Sequence, residues 1–128
     1  MRRADWPEKL AEYFDARRDM PFAWGTNDCA SFAAGAIEAM TGQAPALPAY
    51  KGAAGAARVM DEGSVRERCE ALFGAVLPVA FAQRGDLVLM MLEGRETLGI
   101  CEGDYIAGPG EAGMLFLPRA AGVCAWRV

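Results

Sequence analysis

Histidine is absent from the 128 residues. That excludes, within the chain, every mechanism in which an imidazole activates a serine or cysteine or ligates a metal. Positive charge is also scarce: 13 Lys and Arg stand against 17 Asp and Glu, for a net charge of −4. No basic stripe interrupts this balance, which argues against nucleic-acid binding through phosphate neutralisation. No apolar run approaches the ~20 residues that span a bilayer, so no membrane insertion is expected. Arg2 and Arg3 have no apolar segment behind them, and no export signal is read there. The four cysteines, Cys29, Cys69, Cys101 and Cys124, form no Cys-x-x-Cys half-site. A zinc finger or ribbon is therefore not expected, and thiols are expected over disulfides.

What is present is a globular composition, 53% hydrophobic and 23% charged, of a length suited to one domain over residues 1–128. The first half reads as helices. Asp5 and Glu8 suggest a capping box with Pro7 in the first turn, and Trp6, Leu10, Tyr13 and Phe14 share a face before Pro21. After a loop through Trp24 and Gly25, Asp28 is the expected N-cap of a second helix. Its apolar stripe is Cys29, Phe32, Ala33, Ala36, Ile37 and Met40, closed by Gly42. A weaker helix is expected over Ala53 to Asp61. A further one opens on the pair Ser64 and Glu67, with Val65, Cys69, Leu72 and Phe73 inward.

From Arg84 onward glycine punctuates short apolar runs. Strands are expected at Asp86–Leu92, Thr97–Cys101, Tyr105–Ala107, Met114–Leu117 and Val123–Val128, with Gly108–Gly113 as a turn. One of Met90 and Met91 should face outward by period-two alternation, which suggests a partner contact unless the chain's own helices cover that face. Glu93, Glu96, Glu102, Asp104 and Glu111 have no calcium-loop spacing and read as a solvated rim. The tryptophans read as core or rim packing. Helices first and sheet second give an α+β class, with N-terminal helices packed on a small antiparallel β-sheet.

One position carries chemistry. A cysteine in the first turn of a helix meets backbone N–H groups and the positive end of the helix dipole, which favour thiolate. Cys29 can therefore be read as a nucleophile, with Trp24 as an aromatic wall, or as an apolar cysteine facing the sheet with Asp28 serving as its cap. The string Asp28-Cys29-Ala30-Ser31-Phe32 resembles the Asp-Cys-Ser-Gly-Phe motif of NlpC-family cell-wall peptidases. Gly85-Asp86-Leu87-Val88 is similar to that family's first core strand, and Thr97-Leu98-Gly99-Ile100 to its His-Val-Gly-Ile segment. The resemblance implies a papain-like fold with Cys29 at the nucleophile position. It places Thr97 where the general-base histidine belongs and a residue near Ala107 at the third position.

Cys–His catalysis needs a base within hydrogen-bond reach of the sulfur. Threonine has no useful basicity, Ala107 has no polar group, and a capping carboxylate at Asp28 is a weak base that repels a thiolate.

The chain also resembles, end to end, a small phage-associated group found beside tail genes, through Pro21–Gly25, Asp28-Cys29, Gly85-Asp86 and the Ala125–Val128 tail. With the histidine missing, the two resemblances together imply a non-enzymatic tail-tip or baseplate protein, structural or acting in assembly. It would be partnered by other tail proteins, assembled in the bacterial cytoplasm, located in the virion tail and without a cofactor. The alternative is a cysteine hydrolase cleaving peptidoglycan peptides, with Cys29 as nucleophile and a base from another subunit.

Overall fold

The computed structural model describes residues 2–47, 65–92 and 94–128. Within them the chain is α+β: three α-helices precede a five-stranded antiparallel sheet. The helices are α1 (Trp6–Arg17), α2 (Cys29–Thr41) and α3 (Val65–Phe73). The strands are β1 (Leu87–Leu92), β2 (Arg95–Glu102), β3 (Tyr105–Gly110), β4 (Gly113–Pro118) and β5 (Gly122–Trp126). Their order across the sheet is β4-β3-β2-β1-β5. The expected helix over Ala53 to Asp61 and the Ser64 half of the expected cap lie outside the described residues.

α2 forms as its sequence dictates. Asp28 accepts the Ser31 N–H at 2.8 Å while the Ser31 hydroxyl takes the Asp28 N–H at 2.9 Å, a reciprocal cap. Gly42, at φ +87°, closes the other end in the left-handed conformation. Its stripe of Phe32, Ala33, Ala36, Ile37 and Met40 is buried together with Leu10 of α1 and with Leu87, Leu98 and Ile100 of the sheet. The α1 cap differs from expectation. Asp5 makes no side-chain bond to the helix, and its carboxylate lies 3.3 Å from the Arg3 guanidinium instead. In α3, Val65 and Cys69 are inward as expected and Phe73 packs against the core, but Leu72 is 44% exposed.

Gly35, in the middle of α2, faces Tyr13. A Cβ there would overlap the Tyr13 hydroxyl and stand 2.8 Å from its ring carbons. Glycine in a helix ordinarily costs ~1 kcal/mol relative to alanine. Here the missing methyl lets the Tyr13 hydroxyl donate to the Phe32 carbonyl at 2.9 Å. Gly35→Ala should therefore destabilise, by about 1–3 kcal/mol in urea unfolding, although propensity alone says the reverse. Burial pushes the Tyr13 hydroxyl up to about 12, against an opposing pull from Arg17. A raised folded value means the unfolded chain ionises first. This contribution to stability is whole below pH 10 and is lost as pH climbs from 10 to 12, measurable as a falling urea midpoint over that window.

The other sheet face carries a smaller core of Val88, Met90, Cys101, Ile106 and Ala125. It is covered by the 3-10 turn Val79–Phe81 and by Leu117 of β4, rather than by the α-helices. Arg119 holds this cover in place, donating to the Val79 and Ala82 carbonyls at 2.9 and 2.7 Å. Met90 is buried there, and Met91 is 52% exposed. β3 continues through Gly108, Pro109 and Gly110, which the sequence reading assigned to a turn, because all three stay in register with β4.

The acidic rim is also corrected. Glu96 accepts the Val65 N–H at 3.0 Å, a cap for α3 supplied from 31 residues away, and Glu102 pairs with Arg84 at 2.7 Å.

Asp86 ties the layers together. It is fully buried, and its carboxylate accepts from Arg2 at 2.7 Å, from Arg127 at 3.0 Å and from the Gln83 N–H at 2.9 Å. Gly85 before it sits at φ +92°, where a Cβ would meet Met40 Sδ at 2.9 Å and the Arg2 guanidinium carbon at 3.1 Å. Arg84-Gly85-Asp86 is thus a tight turn entering β1 and also the anchor of residues near both ends of the chain.

Candidate functional site

The site is a gap between two hairpins, and its origin is one proline. Cys101 turns both backbone groups toward the β1 side, donating to the Asp86 carbonyl and accepting from the Gly85 N–H, each at 2.8 Å. By strand alternation the backbone groups of Ile100 and Leu98 turn toward β3. Ile100 meets Ala107 there. The next partner in register, opposite Leu98, is Pro109, which has no N–H to donate. Regular β2–β3 pairing ends at this point, while the β1–β2 and β3–β4 hairpins run on separately to Leu92↔Arg95 and Gly110↔Gly113.

The resulting cleft has a volume of about 460 Å³. One wall is Met90, Leu92, Thr97 and Leu98. The facing wall is Gly108, Pro109, Leu115 and Leu117. The helical layer closes it with Cys29 and with Phe22 and Trp24, whose rings meet edge to face at 4.9 Å. Arg95, exposed, and Glu96 stand at the rim.

The loop carrying Phe22 and Trp24 is held by Asn27, which is 2% exposed. Its Nδ2 donates to the Met20 and Pro21 carbonyls at 3.1 and 2.9 Å, and its Oδ1 accepts from Arg17 at 3.0 Å. The Phe22 N–H bonds the Gly110 carbonyl at 2.8 Å, which joins the loop to the far hairpin. Asp28 completes the arrangement: one carboxylate oxygen takes the Ser31 N–H and the other the Gly25 N–H at 2.7 Å. Both oxygens of this buried carboxylate are thereby engaged with backbone amides. Its role is to orient the loop and the first turn of α2, from which the half-buried Cys29 reaches the cleft.

Of the residues singled out in sequence, Cys29 and Thr97 are brought to this one cleft. Asp28 is the cap beside it, and Ala107 is buried in the main core outside its lining. Trp24 is the aromatic wall, as expected. Asn27 and Phe22 were missed as site builders, and so was the role of Pro109. A proline inside an otherwise strand-like run was the available signal for the last of these.

Among the described residues, no group of three Cys, Asp or Glu side chains is arranged to hold a metal ion, and no helix is long and apolar enough to cross a membrane.

No disulfide joins the four cysteines. Burial pushes the Cys69 thiol up to about 12, helped by the neighbouring Cys124 and Glu96, and it also raises Cys101 and Cys124. Iodoacetamide at pH 8 should therefore modify half-buried Cys29 first and Cys69 last. Peptide mass spectrometry resolves the order, and Cys69 reacting as fast as Cys29 would contradict it.

No curated protein matches the chain. A family match extends over residues 1–128, so the chain belongs to the family described as a domain of unknown function, DUF6950.

Proposed function

We propose that the protein is a non-catalytic component of a phage-type tail, structural or acting in assembly, built on a papain-like, NlpC-type architecture. The observation that carries this reading is the makeup of the cleft. Cys29 reaches it from a helix N-terminus, but the residue matched to the histidine of the NlpC-type peptidases is Thr97, in a chain with no histidine. Of the other ionisable side chains lining the cleft, none is an imidazole. Arg95 is a cation, and Glu96 has an oxygen on the Val65 N–H. Both oxygens of Asp28 are bonded to amides. A cysteine peptidase of that type uses its histidine both as base for the thiol and as proton donor to the leaving amine, and the chain has no histidine for either step.

The succession of a cysteine-bearing helix and an antiparallel sheet opening on Gly85-Asp86 supports the architectural part. The end-to-end resemblance to the tail-gene group supports the role in a virion tail assembled in the bacterial cytoplasm, with other tail or baseplate proteins as partners.

Quantitative mass spectrometry of purified tails from a phage or prophage encoding the chain tests this reading. It should be present at a fixed copy number, and its deletion should leave incomplete tails. Mature particles that lack it would leave an assembly role, and normal tails after deletion would overturn both.

The position of Cys29 at a helix start favours one second reading, hydrolysis of peptidoglycan peptides with a base lent by another subunit. That reading requires muropeptide cleavage by assembled tails which Cys29→Ala abolishes. Tails without cleavage would end it.

A further inference from the structure

We propose that the cleft between the hairpins is a binding site for an apolar chain ending in a carboxylate, such as a medium- or long-chain carboxylic acid. The first observation is Gly108. Each other glycine among the described residues has a reason: a φ in the left-handed region, or a neighbour that a Cβ would strike. Gly108 has neither. Its backbone is ordinary strand, it lines the cleft, and a Cβ built there meets nothing within 4 Å. Glycine in a strand interior weakens the strand, and with no contact among the described residues to require it, it marks room kept for something from outside.

The second observation is the lining. Trp24, Leu92, Leu98, Leu115, Leu117 and Pro109 offer hydrocarbon on opposite sides of a gap of about 460 Å³, within the range of small-ligand sites.

The third is the charge at the mouth. Arg95 is exposed at the rim, and no carboxylate among the described residues pairs with it, whereas the Glu96 oxygen caps α3. One planar guanidinium at the end of an apolar slot suits a single carboxylate, which it can bind through two parallel N–H bonds. The site requires no chemistry at Cys29, and it stands or falls independently of any role in a tail.

Titration calorimetry of the full chain with sodium octanoate, decanoate and dodecanoate, each below its micelle-forming concentration, tests the proposal, with decanol as the uncharged comparison. Saturable one-to-one binding is expected, tightening about fourfold per added methylene. Gly108→Leu, which fills the gap without a backbone conflict, should weaken decanoate by at least about tenfold while circular dichroism stays unchanged. Arg95→Gln, on the exposed rim, should weaken decanoate by about tenfold and leave decanol unaffected. Absence of saturable binding, or unchanged affinity in Gly108→Leu, would overturn the site. Equal loss of decanoate and decanol in Arg95→Gln would overturn the carboxylate assignment.

Discussion

Asp86→Ala should cost about 3–5 kcal/mol of folding stability, the largest effect of any single substitution considered for this chain. The carboxylate is fully buried and receives two guanidinium groups and two backbone amides, Gln83 and Val128. Removing it leaves the Arg2 guanidinium, 14% exposed, without its countercharge among the described residues, and leaves the segment before α1 tied to the start of β1 through the Arg2–Arg84 carbonyl bond. Arg127 is 48% exposed, so its charge can be taken up by water, and Arg127→Ala should cost about 1 kcal/mol or less. Urea unfolding of both variants gives the contrast. Similar small losses in the two would show that the buried pair contributes no more than a surface one.

Asn27→Ala should lose about 3 kcal/mol, because it strips partners from three groups at once. The Met20 and Pro21 carbonyls lose their donors and the Arg17 guanidinium loses an acceptor. Each unsatisfied buried polar group costs about 1–3 kcal/mol, less where water reaches it. The same change should loosen the Phe22–Trp24 wall, since the loop keeps its Ala23–Asn27, Phe22–Gly110 and Gly25–Asp28 bonds but loses the side-chain ties to the Met20 and Pro21 carbonyls and to Arg17. Emission from Trp24 should shift to the red in the variant under native conditions, with Trp24→Phe as the spectral control. A loss below 1 kcal/mol with unchanged emission would remove Asn27 from the architecture of the site.

The legible part of this structure was the part governed by local rules. Asp28, the stripe from Phe32 to Met40 and Gly42 state a helix through capping and period, and all of them act as read. The glycine-punctuated runs after Arg84 give five strands, and Cys29 and Thr97 do share a cleft. What was not legible depends on residues far apart in the chain. Nothing near Val65 announces that its N–H is met by Glu96, and nothing around Arg2 announces Asp86, 84 positions later. Gly108–Gly110 read as a turn because glycine and proline usually make one. They remain strand because β4 supplies partners in register on one side, while Pro109 costs pairing on the other. The role of Asn27 rested on carbonyls six and seven residues before it, in a loop without periodicity to guide a reading.

The order of the elements has a consequence for how the chain is made. The apolar stripes of α1 and α2 are complete once residue 41 has been added, yet the strands they bury against begin at Leu87 and finish at Trp126. During synthesis from the N-terminus, Leu10, Phe32 and Met40 have no sheet to cover them until two-thirds of the chain exists. The clamp on Asp86 cannot close until Arg127 has emerged. Native contacts of such long sequence separation slow the search for the fold and prolong the exposure of apolar surface. The nascent chain therefore depends, for most of its growth, on pairing α1 with α2 or on shelter from the cell.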